Sequence, residues 1–92
     1  MDEDRENLLM RKEIIDGYIA ALENPQELLR VCARGSGDSD ELRAAVGRAF
    51  GVSEVAADAI LSLQVRRFTP RVLAQFKDES ADYERRLSAG PS

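Results

Sequence analysis

An all-α fold is predicted by three observations. The apolar residues recur at helical spacing: Leu8, Ile15 and Leu22 repeat every seven positions, and Ile14, Tyr18, Ile19 and Ala21 widen that stripe into one helix face with charges opposite. Short polar residues that cap helices, Asn24, Asp38, Ser53 and Thr69, stand directly before the apolar runs. The composition is rich in Ala, Leu, Arg and Glu, with 5% aromatic residues, three prolines and six glycines, which favours helix over sheet.

The elements follow in order. The first helix is predicted over about Asp4 to Glu23. Asn24-Pro25-Gln26-Glu27 reads as a fresh start: a capping asparagine, a proline preorganised at the first helical position, and a glutamate placed to reach back to the cap. The second helix carries Leu28, Leu29, Val31 and Cys32 and ends before Gly35-Ser36-Gly37. Asp38, with Glu41 three residues on, opens a third helix through Leu42, Ala45, Val46 and Phe50, closed by Gly51. Ser53 caps a fourth, with Val55, Ala56, Ala59, Ile60, Leu63 and Val65. Thr69-Pro70 opens a fifth, with Val72, Leu73, Phe76, Tyr83 and Leu87.

Two long helices enclosing three short ones suggest a shape for a single domain over residues 1–92. The first and last helices would run antiparallel as a short coiled-coil-like stalk, and the three short ones would form a knob at its end. Residues 1–7 and 88–92 are expected to fray. The run Ala56-Ala57-Asp58-Ala59 is narrow, so another backbone can approach it closely. A chain of 92 residues is only marginally stable as a lone monomer, and pairing with a second copy is a common remedy.

Composition removes several functions. The net charge of −4 argues against nucleic acid as a main partner and leaves at most weak binding. No histidine is present, so the commonest general base and zinc ligand are missing. Cys32, the only cysteine, can form neither an intrachain disulfide nor a thiolate cluster. No apolar run approaches the ~20 residues of a membrane span, and the acidic start Met1-Asp2-Glu3-Asp4 is unlike a signal peptide. The sequence thus predicts a cytoplasmic protein, read as free-standing, with no membrane association, cofactor, metal or catalytic residue.

Two stretches carry a resemblance. Arg11 to Asn24, RKEIIDGYIAALEN, resembles the last part of the descending coiled-coil arm in the A subunits of bacterial DNA gyrase and topoisomerase IV, the type IIA topoisomerases. Phe50 to Thr69, FGVSEVAADAILSLQVRRFT, is similar to the knob that follows in that family: a phenylalanine-glycine-aliphatic turn, a serine-glutamate helix start, an alanine-isoleucine-leucine core, a basic pair and a threonine. The similarity runs from about Leu8 to Leu87. Pro70 stands where the family has glycine, Arg71-Val72 replaces a leucine-glutamate pair, and Ser62 and Gln64 replace an aspartate and a basic residue.

The resemblance implies a homodimer. In that family the knobs pair across a two-fold axis to form the exit gate for transported DNA, and this segment carries no chemistry. Neither Tyr18 nor Tyr83 has the arginine-tyrosine context of the family's nucleophile. The expected function is therefore a non-catalytic homodimerisation module, acting as an interaction or regulatory protein. Its dimer interface is expected at Val55, Ala56, Ala59, Ile60, Leu63, Arg67 and Phe68. One alternative partner is the gyrase A-type subunit itself. Another alternative is a small helical enzyme of the chorismate mutase type, with Arg11, Asp16 and Arg30 on leucine-rich helices; the interruption at Asn24-Pro25 argues against it.

The remaining chemical candidates have plainer readings. Arg66, Arg67 and Arg71 form a basic cluster, but without interleaved aromatics the better explanation is arginines that end a helix favourably and pair with acidic neighbours. Cys32 on an apolar face reads as a buried, reduced thiol. Asp16, Glu23 and Asp58 fit no oxygen-ligand spacing and read as solvated charges.

Overall fold

The computed structural model describes residues 2–35 and 37–89, with side chains from residue 4 on. Met1, Ser36 and residues 90–92, including most of the tail expected to fray, lie outside the described residues. The chain is all-α: α1 Asp2–Glu23, α2 Pro25–Arg34, α3 Ser39–Phe50, α4 Glu54–Leu61, a 3-10 turn Val65–Arg67, and α5 Pro70–Ser88. No strand occurs among the described residues.

The capping residues read from the sequence make the bonds their chemistry dictates. The Asn24 side chain accepts from the Glu27 N–H, that of Asp38 from the N–H groups of Asp40 and Glu41, that of Ser53 from Ala56, and that of Thr69 from Val72. Each satisfies backbone donors that the helix leaves without an internal partner. Pro25 and Pro70 fill the first turns of α2 and α5, where no N–H is needed. Gly51 ends α3 at φ +64°, a left-handed turn that favours glycine. One cap detail differs from expectation. The Asn24 N–H donates to the Ala21 carbonyl at 3.2 Å, and the Glu27 carboxylate is held by Arg30 instead of reaching back.

Three boundaries also differ. Helix α1 already includes Asp2–Asn7, and the Arg5 guanidinium donates to the Leu87 carbonyl at 3.3 Å. Ser88 belongs to α5, and the following Ala89 N–H donates to Arg85 at 3.0 Å. The fourth helix stops at Leu61 instead of running to Val65. There the Ser62 hydroxyl donates to the Asp58 carbonyl at 3.1 Å, and the Ser62 N–H forks between Asp58 and Ala59. That competition tightens the chain into i→i−3 bonds, Leu63 to Ile60 and then Phe68 to Val65, which carry Leu63 and Phe68 back against the core.

Packing begins where α1 meets α4. Ala21 of α1, Val46 of α3, and Ala57 and Ile60 of α4 form the buried cluster, with Leu28, Val31, Phe50, Val52, Leu61, Leu63 and Phe68 packed around it. Gly17 lets the two helices close: a Cβ built there would stand 3.2 Å from the Ala56 Cβ and 3.6 Å from Ile60. The small-residue run of α4 therefore does receive another backbone closely, and that backbone is α1 of the same chain.

On its other side α1 lies antiparallel to α5. Lys12 pairs with Glu84 at 3.2 Å, the Ser80 hydroxyl donates to Asp16, Tyr18 meets Phe76 with ring centres 5.0 Å apart, and Glu23 pairs with Lys77 at 3.1 Å. From Lys12 to Tyr18 the numbers rise along α1 as those of their partners fall from Glu84 to Phe76 along α5. Lys12 also bonds Asp16 at 2.7 Å, and this bond, with the weaker help of Glu84 against partial desolvation, raises its pKa above the ordinary value of 10.5. These polar bonds orient α5, while Ile15 and Phe76 supply its buried contact.

Candidate functional site

Among the described residues, no three His, Cys, Asp or Glu side chains stand together as a possible metal site. The acids considered from the sequence go to separate partners. Asp16 is taken by Lys12 and Ser80, Glu23 by Lys77, and Asp58 by Arg43 at 3.5 Å. Arg43 also bonds Glu54 at 3.1 Å and Asp40 at 3.3 Å, which raises its pKa further, the bond to Glu54 first. Arg30 is held by Glu27 on its own helix, and Arg11 is exposed.

The basic cluster disperses likewise. Arg66 donates to the Gln64 side chain at 2.7 Å, and the Arg67 guanidinium lies over the Phe76 ring, 5.2 Å from its centre. Their contacts are an amide and a ring rather than the acidic neighbours expected.

The feature that stands out is an apolar groove of about 240 Å³. Its lining is Pro25, Leu28, Leu29 and Cys32 from α2, Ile60 and Leu61 from α4, and Leu63, Val65 and Phe68 from the segment that follows. All nine residues are uncharged, in a chain where 33% of residues are charged. Two local choices create it. The early end of α4 turns Val65 and Phe68, three apart, to one side of the 3-10 turn, while α2 places Pro25, Leu28, Leu29 and Cys32 on one helix face. Leu29 is 68% exposed and Val65 83%, and no residue of α2 is buried.

The seven expected interface residues separate against this geometry. Ala56 and Ile60 are 0% and 1% exposed, packed against α1 within one protomer. Ile60 floors the groove from beneath, and Leu63 and Phe68 line it. Val55, half exposed, and Ala59 lie on α4 outside the lining, and Arg67 is held on Phe76. Cys32 is exposed on the groove wall rather than buried, because α2 meets the core through Leu28 and Val31. Leu29 and Val65 were missed as candidates. The signal was present in α2: an apolar face on a helix too short and too near the glycine linker to be covered by another element.

An all-α unit with an uncharged, open apolar groove is what the described residues define, and sequence comparison gives its relatives. No family model and no solved structure matches the chain. It is 33% identical over 78 residues to the chloroplastic/mitochondrial DNA gyrase A protein of Arabidopsis thaliana, a match covering 85% of this chain and 8% of the relative. It is 36% identical over 69 residues to the DNA gyrase A protein of Leptospira biflexa, covering 75% of this chain and 8% of that protein. With the DNA gyrase A protein of Synechocystis it shares 37% identity over 59 residues, covering 64% of the chain and 7% of the relative. The resemblance to gyrase A proteins is borne out, and the chain spans about 8% of their length. No helix among the described residues is long and apolar enough to cross a membrane.

The division between floor and rim has a direct thermodynamic consequence. Ile60→Ala should cost about 2–5 kcal/mol, because it opens a cavity in the core. Val65→Ala, far out in solvent, should stay within about 0.5 kcal/mol at dilute concentration. Urea unfolding of the two variants checks this; equal losses would remove the distinction.

Proposed function

We propose that this chain is a non-catalytic homodimerisation module of the gyrase A type, acting as a cytoplasmic interaction or regulatory protein. The observation that carries the reading is the uncovered, uncharged groove beside α2 in a chain whose buried core is small. Exposed apolar surface of that kind marks an interaction site. Similarity to gyrase A proteins supports the same direction, since the family resemblance read from the sequence implies knobs that pair as an exit gate at the end of a coiled-coil stalk. The antiparallel α1–α5 pair has the form such a stalk would take. Nucleic acid is a weak partner at most, given the net charge of −4 and the contacts that hold Arg66 and Arg67.

Light scattering at micromolar concentration tests the reading. The expected mass is twice the 10.2 kDa of the chain. A monomer at every concentration would contradict it.

The gyrase A similarity favours a second reading, in which the chain pairs with a full-length protein of the gyrase A type. Arms tethered within one enzyme meet at an effective concentration of roughly millimolar. A free chain at micromolar level then competes at about a thousandfold disadvantage, or ~4 kcal/mol. Self-pairing should therefore dominate, and a supercoiling assay titrated with this protein should show little inhibition at equal concentrations. Strong inhibition at stoichiometric amounts would promote the second reading.

A further inference from the structure

We infer that α5 is a detachable strap: it lifts from α1 as one unit, pivoting at Thr69, while α1–α4 and the 3-10 turn stay folded. The movement belongs to one chain and needs no partner.

The main apolar cluster is complete without α5. Its buried members are Ala21, Val46, Ala57 and Ile60, and the side chains packed around them come from Leu28 to Phe68. None of these residues lies on α5. The strap itself buries Phe76, which meets Tyr18 of α1 and receives the Arg67 guanidinium on its ring. Val72, Leu73, Tyr83 and Leu87 stay partly exposed. Along the rest of the pair, the two helices are joined by polar bonds: Arg5 to the Leu87 carbonyl, Lys12 to Glu84, Asp16 to Ser80 and Glu23 to Lys77. Exposed ion pairs of this kind add little net stability, because water and salt replace them readily.

The junction is built to pivot. The Thr69 N–H donates back to the Arg67 carbonyl at 2.9 Å, and Pro70 has no N–H to donate. The bonds that follow belong to α5: Val72 donates to the Thr69 hydroxyl at 3.2 Å and Leu73 to the Thr69 carbonyl at 3.0 Å. A rotation about the N–Cα bond of Thr69 therefore carries the helix and its cap together and breaks no backbone hydrogen bond. Thr69 stands at φ −126° and ψ 154°. That is the extended region a following proline imposes, with φ free over roughly ±40°. Lifting the strap gives up the Phe76 contacts and the exposed ion pairs and leaves the core as it is. It bares the strip of α1 that carries Lys12, Asp16 and Tyr18, which α5 meets when docked.

The test is native-state hydrogen exchange on the full chain, read residue by residue at increasing urea and one fixed protein concentration. A helix of this length frays in water once it leaves its partner, so an opened α5 exchanges. Amides from Phe76 to Glu84 should share one opening, at least about tenfold more frequent than that of Val46 and Ile60, with a smaller urea dependence. Gly17 and Ala21 should exchange with the core, because α1 stays in place. The variant Ile60→Val weakens the core mildly and should speed exchange of the core amides by about fivefold. The α5 amides should not change in that variant, since Ile60 is packed alike whether the strap is docked or lifted. Equal opening of α5 and core with the same urea dependence, or equal acceleration of both in Ile60→Val, would overturn the strap. In either case α5 would leave only when the whole chain unfolds. Exchange in α5 that varies from residue to residue without urea dependence would overturn it too, as fraying in place of a unit movement.

Discussion

The contact of α1 with α4 at Gly17 and Ala56 is the constraint on which the rest of this structure depends. With no side chain at Gly17, the two helix backbones approach closely enough that a Cβ there would crowd the Ala56 Cβ at 3.2 Å. That approach shuts Ala56 and Ile60 away from solvent and sets Ile60 against Ala21, Val46 and Ala57. It also leaves the opposite side of α1 available to α5, where Lys12, Asp16 and Tyr18 find Glu84, Ser80 and Phe76. Ile60 is the common member of the core and the groove, so the shape of the candidate interface is set by the depth to which α4 sinks against α1.

Much of the fold was legible because its determinants are local. Asn24, Asp38, Ser53 and Thr69 cap helices through their own backbone neighbours, and Gly51 turns left-handed for reasons internal to one residue. What was not legible depends on which surface meets which. The run Ala56-Ala57-Asp58-Ala59 promises a close neighbour without saying whether it comes from the same chain or another. Gly17 held the answer, since a glycine inside a helix costs about 1 kcal/mol relative to alanine and points to a backbone approaching there. The end of α4 at Leu61 was hidden as well, because a serine such as Ser62 can sit within a helix or, as here, bond the Asp58 carbonyl through its hydroxyl and compete with the helix bond. Cys32 looked buried by its neighbours in sequence, yet only the Leu28 and Val31 side of α2 packs on the core.

The division of labour between polar and apolar contacts fits an interaction module. The α1–α5 pair is held largely by ion pairs and hydrogen bonds that contribute little net stability in water and mainly fix register. The apolar burial is concentrated where α3 and α4 meet α1, around Ile60, and the uncovered apolar groove borders it. A marginal core beneath an exposed apolar groove gives folding and association a shared interest in the same residues.

The most direct test of the central constraint is a double-mutant cycle between Gly17→Ala and Ala56→Gly, read by urea unfolding at one fixed protein concentration. Crowding against Ala56 should offset the helix-forming advantage of alanine at position 17 in the wild-type background. In the Ala56→Gly background, with the opposing Cβ removed, the same Gly17→Ala change should stabilise. The account predicts a coupling of about 1 kcal/mol or more between the two sites. Effects that add within about 0.3 kcal/mol would contradict it, because they would mean that α1 and α4 do not meet at these residues.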